Sequence, residues 1–199
     1  MDPRPKPWRI KSARTVFNNR WLMLREYATI APTGADAAYG LVHIHNLALG
    51  VLPIDSDGAT ILIGQQRFPF GRYSWELPEG GGPQDASPLE GAQRELSEEA
   101  GLKAGRWIPL LEDIHLSNSV TDERAFAFLA WELSADNTFT RDSSEELTVR
   151  RVPFAEAVKM AVAGRINDGF SLVMLLKADH LLRTGNLPPD LCELMLKGS

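Results

Sequence analysis

The hydrophobic pattern of the first third of the chain suits strands. Residues 15–17, 21–24 and 27–30 carry the apolar positions, and Asn18-Asn19 is a hairpin turn between the first two. Pro32-Thr33-Gly34 ends that run. A second strand group is predicted over residues 39–54, with a break near Gly50. Asp57-Gly58 marks a turn, and residues 59–65 return as a strand. Residues 1–11, Pro-rich and basic, read as a poorly ordered lead-in.

The period changes at Ser87. Ser87 can cap a helix, Pro88 takes its first position, and Gly101 can close it. Leu89, Ala92, Leu96 and Ala100 then share one apolar side, and Glu95, Glu98 and Glu99 share an adjacent one. Strands follow at residues 107–115, 125–131 and 147–152, the last after a polar loop over 137–146. Pro153 begins an amphipathic helix with Phe154, Ala157, Val158, Ala161 and Val162, closed by Gly164. A last helix buries Leu172, Leu175, Leu176 and Leu182, and Pro188-Pro189 leads a short tail. That order predicts an α/β sandwich with a mixed sheet.

Composition narrows the function. The chain has 199 residues, 44% hydrophobic and 24% charged, ordinary for a globular protein of one main domain. A net charge of −5 argues against coating nucleic acid, though local arginines and a metal can still hold a diphosphate. No apolar run approaches the ~20 residues of a membrane span. The first residues lack the apolar core of a signal peptide. Cys192 is the single cysteine, which excludes an internal disulfide. A cytoplasmic location, with no membrane or nucleic-acid partner, is the expectation.

The candidate chemistry is carboxylate chemistry. Like charges at i, i+3 and i+4 weaken an isolated helix by about a few tenths of a kcal/mol per pair. Glu95, Glu98 and Glu99 are therefore better explained with a cation against them. Hard divalent cations take oxygen ligands, and Mg2+ commonly joins carboxylates to substrate phosphates. The glycines Gly80-Gly81-Gly82 before the helix allow close backbone approach to a ligand. His43 and His45 share a strand face and read as surface residues.

The stretch RELSEEAGL with the preceding Gly80 resembles the signature of the Nudix hydrolases. That signature is Gly, five residues, Glu, seven residues, then Arg-Glu-apolar-x-Glu-Glu-x-Gly-apolar. Gly80, Arg94, Glu95, Leu96, Glu98, Glu99, Gly101 and Leu102 fall in place, and Ala86 stands where the first Glu belongs. The runs QQRFPFGRYSWELPEG and LSNSVTDERAFAFLAWEL are similar to the ADP-ribose branch, with Asn118-Ser119 replacing its usual Pro-Gly.

The resemblance implies a Nudix-type α/β/α sandwich over residues 40–185. It also implies an N-terminal strand extension over 1–39 that pairs two subunits into a homodimer, and a tail over 186–199. It implies Mg2+ or Mn2+ held by Glu95, Glu99, Glu98 and the backbone carbonyl of Glu79. Glu98, Arg94 and a late-loop glutamate, Glu145 first and Glu146 second, take catalytic roles. Arg67, Glu76 and Glu123 contact substrate. With the box Glu missing, Arg94 is expected to brace the loop through Glu90 or Asp85. The implied reaction is metal-dependent hydrolysis of a nucleoside diphosphate derivative, ADP-ribose to AMP and ribose 5-phosphate. The alternatives are another nucleotide sugar or dinucleotide, or a Nudix-fold sensor that binds without cleaving.

Overall fold

The computed structural model describes residues 7–136, 138 and 146–198. Strands β1 (Arg9–Asn18), β2 (Leu22–Ile30) and β3 (Asp36–Ile44) form an antiparallel sheet of their own. The Asn18-Asn19 turn closes the first hairpin. Its Asn19 Oδ1 accepts the backbone N–H groups of Trp21 and Leu22 at 2.8 and 2.9 Å. Two expectations change here. The strand starts at Arg9, inside the expected lead-in, and residues 22–30 form one strand in place of two. Continuous pairing with β3, from Leu22–Ile44 to Ile30–Asp36, carries β2 through the polar pair Arg25-Glu26.

The break expected near Gly50 falls instead at His45, between β3 and β4 (Asn46–Pro53). Strand β4 sits inside a four-stranded sheet ordered β7-β4-β9-β8, with β7 (Glu79–Pro83), β8 (Leu102–His115) and β9 (Arg124–Ala135). The β4–β9 pair is parallel, in register from Ala48–Ala125 to Pro53–Ala130. Both faces of β4 are covered, which explains its unbroken apolar sequence. Val51, Phe128 and Ala130 pack with Ala92 and Leu96 of helix α1 (Pro88–Ala100) on one face. Leu52, Leu129 and Trp131 face the other way into the larger core. The alternation is the period-two rule of a strand.

The larger core lies between that sheet, a three-stranded sheet and the C-terminal helices. The small sheet is ordered β10-β5-β6, with β5 (Ala59–Arg67), β6 (Arg72–Glu76) and β10 (Thr148–Pro153). Helices α2 (Phe154–Val162) and α3 (Gly169–Arg183) contribute Phe154, Met160, Phe170, Met174 and Leu175. The expected tail is a third C-terminal helix, α4 (Pro189–Lys197), whose Leu191 and Met195 are fully buried. The two-proline lead is a helix start here, with Pro188 as cap and Pro189 in the first turn. The layers are those of the α/β/α sandwich the resemblance implies, with the strands divided among separate sheets. The boundary expected after residue 39 falls within β3.

Candidate active site

Helix α1 forms where its capping signals place it. Ser87 Oγ accepts the N–H of Glu90, and Gly101 closes the helix in the left-handed region at φ 66. The apolar stripe turns Ala92 and Leu96 into the sheet, and that rotation leaves Glu95 and Glu99 at the helix–sheet border. Both are 6% exposed, whereas Glu98 is half-buried. Two ionisable side chains this deep need positive partners, because burying an unpaired carboxylate is costly.

Strand β7 supplies part of the answer. The backbone N–H of Glu79 donates to Glu99 Oε2 at 2.9 Å. The next residue, Gly80, faces Glu95, and a Cβ there would overlap the Glu95 carboxylate. A side chain at position 80 would therefore displace the Glu95 carboxylate from where it now sits. The glycine-rich stretch is not an open loop: it is paired strand, with Leu49 opposite Gly80 and Leu47 opposite Gly82.

Arg94 supplies the rest. Its guanidinium donates to Glu98 and Glu95 and to the Gly81 carbonyl, the last at 2.6 Å. This corrects the expected pairing with Glu90 or Asp85. At i+4, Glu98 lies on the same helix side as Arg94, whereas Asp85 and Ala86 sit in an exposed turn. Arg94 thus ties the helix to β7 without the missing box glutamate.

Arg67, at the end of β5, is held differently from a free phosphate grip. Its Nε donates to Glu76 Oε1 and Oε2 at 2.9 and 3.0 Å, and its Nη2 reaches Glu76 Oε2 and, at 3.5 Å, Glu79 Oε1. Glu76 is 2% exposed, whereas the Arg67 side chain is 37% exposed, so the pair runs from the interior to the surface. The hydrogen bond to Glu76 raises the Arg67 pKa above its ordinary value. Glu79 goes the other way from a normal acid. Burial first, then the charges of Asp168 and Glu76, hold its carboxyl well above the usual range. Asp168, the N-cap of α3, reads in the sequence only as part of a connector between helices. Its one signal is Asp before a helix, a capping signal without functional content.

The remaining predicted residues stand elsewhere. Glu123 is half-buried before β9, in a loop tied to the N-terminal sheet by Val42 N to Val120 O at 2.9 Å. Burial, then Asp122, raises its pKa. Glu146 is exposed just ahead of β10. Glu145 lies outside the described residues.

Glu95 and Glu99 present carboxylate oxygens from one rigid helix, donors of the kind a hard divalent ion takes, and the glycine at position 80 leaves room for the Glu95 carboxylate.

Comparison with known proteins bears on this geometry. The family model described as the NUDIX domain matches residues 44–169. The chain is 29% identical over 184 residues to an ADP-ribose pyrophosphatase of Mycobacterium tuberculosis (strain ATCC 25618 / H37Rv). That match covers 89% of this chain and 86% of the relative. It is 30% identical over 189 residues to a GDP-mannose pyrophosphatase of Yersinia pestis (strain Pestoides F), covering 89% and 94%. A crystal structure of an ADP compounds hydrolase shares the fold, with TM-score 0.80 and 21% identity over 90% of this chain and 96% of that one.

Proposed function

The chain belongs to the Nudix family and is a divalent-metal-dependent pyrophosphohydrolase of nucleotide sugars, and we propose that it cleaves ADP-ribose to AMP and ribose 5-phosphate. The observation that carries this reading is the pair of buried carboxylates, Glu95 and Glu99, set by α1 against the backbone of Glu79 and Gly80. The Mycobacterium tuberculosis relative, an ADP-ribose pyrophosphatase, aligns along most of both chains and supports the choice of substrate.

A pyrophosphate is stable because its oxygens repel nucleophiles, so hydrolysis needs that charge offset and a water placed in line. A bound divalent ion, Mg2+ or Mn2+, supplies charge neutralisation and a more acidic water. Glu95, Glu99 and the Glu79 carbonyl would hold it, with Glu98 beside them. Arg94 keeps the helix and β7 in register through Gly81. Arg67 presents a guanidinium at the end of β5, oriented by Glu76, for a phosphate oxygen of the substrate. Glu123 contacts the substrate from the loop before β9, and Glu145 positions the attacking water.

A second reading, hydrolysis of another nucleotide sugar, is favoured by the GDP-mannose pyrophosphatase that matches over 94% of its length. One experiment separates the two. Purified protein with Mg2+ is offered ADP-ribose, GDP-mannose and other nucleoside diphosphate derivatives at equal concentration, and products are resolved by chromatography. AMP with ribose 5-phosphate as the fastest products supports the first reading. Faster release of GMP from GDP-mannose selects the second. Tight ADP-ribose binding with no product from any compound leaves a sensor.

The proposed assembly is a homodimer formed through residues 1–39. Strand β1 is exposed along its whole length, and Trp8, Ile10, Phe17 and Trp21 are each about half or more exposed. Apolar side chains this exposed, on a sheet outside the core, fit burial against a second copy. Residues 40–185 are the proposed catalytic unit. Among the described residues no helix is long and apolar enough to cross a membrane. The unpaired Cys192 fits the cytoplasmic location we assign.

A further inference from the structure

Successive residues of a strand point to opposite faces. Gly80 faces α1 and Glu95, so the side chain of Glu79 leaves β7 on the other face. There it meets Glu76, at the end of β6, and Asp168, at the head of α3. One carboxylate oxygen from each of the three lies within 4.8 Å of the others. The arginine bonded to this cluster is Arg67, and Arg72 lines the cavity beside it. The hydrogen bonds leave part of the cluster open. Arg67 is committed to Glu76 and only touches Glu79 Oε1 at 3.5 Å. Glu79 Oε2 is buried and accepts from no donor. The Asp168 cap uses only Oδ2, which takes the N–H of Ser171 at 2.7 Å.

We propose that Glu76, Glu79 and Asp168 form a divalent-cation site of their own, on the face of β7 opposite the α1 carboxylates. A dication there would give the buried Glu79 oxygen a partner and draw the three carboxylates together. Hard oxygen donors without nitrogen or sulfur select Mg2+, Mn2+ or Ca2+. Two oxygens on one ion lie no more than two metal–oxygen distances apart, about 4.2 Å for Mg2+ and about 4.8 Å for Ca2+, and the three oxygens fall within the larger of these limits. A cavity of about 290 Å3, lined by Arg67, Arg72, Glu76, Asn167, Asp168 and Gly169, adjoins the cluster. The position also gives the site a purpose. It clamps β6, β7 and α3 around the Glu79 backbone, whose N–H holds Glu99. The inference does not depend on which nucleotide the enzyme cleaves.

The test counts ions without using turnover. Metal-stripped full-length protein is titrated with Mn2+, and free Mn2+ is followed by electron paramagnetic resonance. Asp168→Asn keeps a good N-cap while removing one charge, and Glu79→Gln is isosteric. Each is expected to lose one equivalent, or to bind it at least about 10-fold more weakly. Glu99→Gln is expected to keep that equivalent and lose binding elsewhere. Should Asp168→Asn fail to fold by circular dichroism, Glu79→Gln decides. Unchanged equivalents and affinities in the folded variants overturn the site and leave protons as the balancing charge. Loss of all tight binding in Glu99→Gln also overturns it, because the two faces would then be one site.

Discussion

Two groups of carboxylates flank strand β7, each made of three acids and one arginine. On the α1 face, Glu95, Glu98 and Glu99 come from a single helical turn and a half, with Arg94 among them. On the other face, Glu76, Glu79 and Asp168 come from three separate elements, with Arg67 across from them. The first group is fixed by helix geometry, and its spacing cannot drift. The second is fixed by tertiary packing, chiefly the buried bond from Leu77 N–H to Ser171 Oγ at 2.8 Å. The same charge count therefore rests on different supports, and the two should fail in different ways. Damage to the first should cost turnover with little loss of stability, and damage to the second should cost stability whatever it does to turnover.

The largest expected effect falls on the first group. Glu99→Gln keeps an oxygen for the Glu79 N–H and removes only the charge. Turnover of ADP-ribose should drop by about 10²- to 10³-fold, as for loss of one electrostatic stabiliser of a transition state, with the melting midpoint nearly unchanged. A large fall in melting temperature at full activity would reverse the comparison. Next comes Arg67→Ala, which strands the buried Glu76 carboxylate. Denaturant unfolding should show a loss of about 3 kcal/mol, the scale for breaking a buried ion pair. Ser171→Ala removes the acceptor of a buried backbone N–H and should cost about 2 kcal/mol, measured in the same way. The smallest effect is expected from Ala86→Glu. Position 86 is exposed and Arg94 is already occupied, so stability should move by no more than about 0.5 kcal/mol. A gain in activity well beyond twofold would show that Arg94 needs the missing box glutamate after all.

The same contrast explains which features are legible in the sequence. Ser87, Pro88, Gly101 and the stripe of Leu89, Ala92 and Leu96 are local signals at fixed spacing, so they define helix α1 and its carboxylates by themselves. The strand content and the turn at Asn18-Asn19 are equally local. The partner of Arg94 is not. Spacing offers Glu90 as readily as Glu98, and only the position of β7 decides between them. Asp168 is less legible still. It lies 89 residues from Glu79 along the chain, and its meeting with Glu76 and Glu79 depends on α3 docking at Leu77. The α4 helix escapes a sequence reading for a related reason. Pro188-Pro189 marks a loop and a helix start alike, and the burial of Leu191 and Met195 distinguishes the two.

The most direct measurement is anomalous diffraction from crystals grown with Mn2+. The account predicts a peak bonded to the Glu95 and Glu99 carboxylates beside the Glu79 carbonyl, at metal–oxygen distances of about 2.2 Å. Mn2+ density elsewhere in the crystal, with none at Glu95 and Glu99, would contradict it.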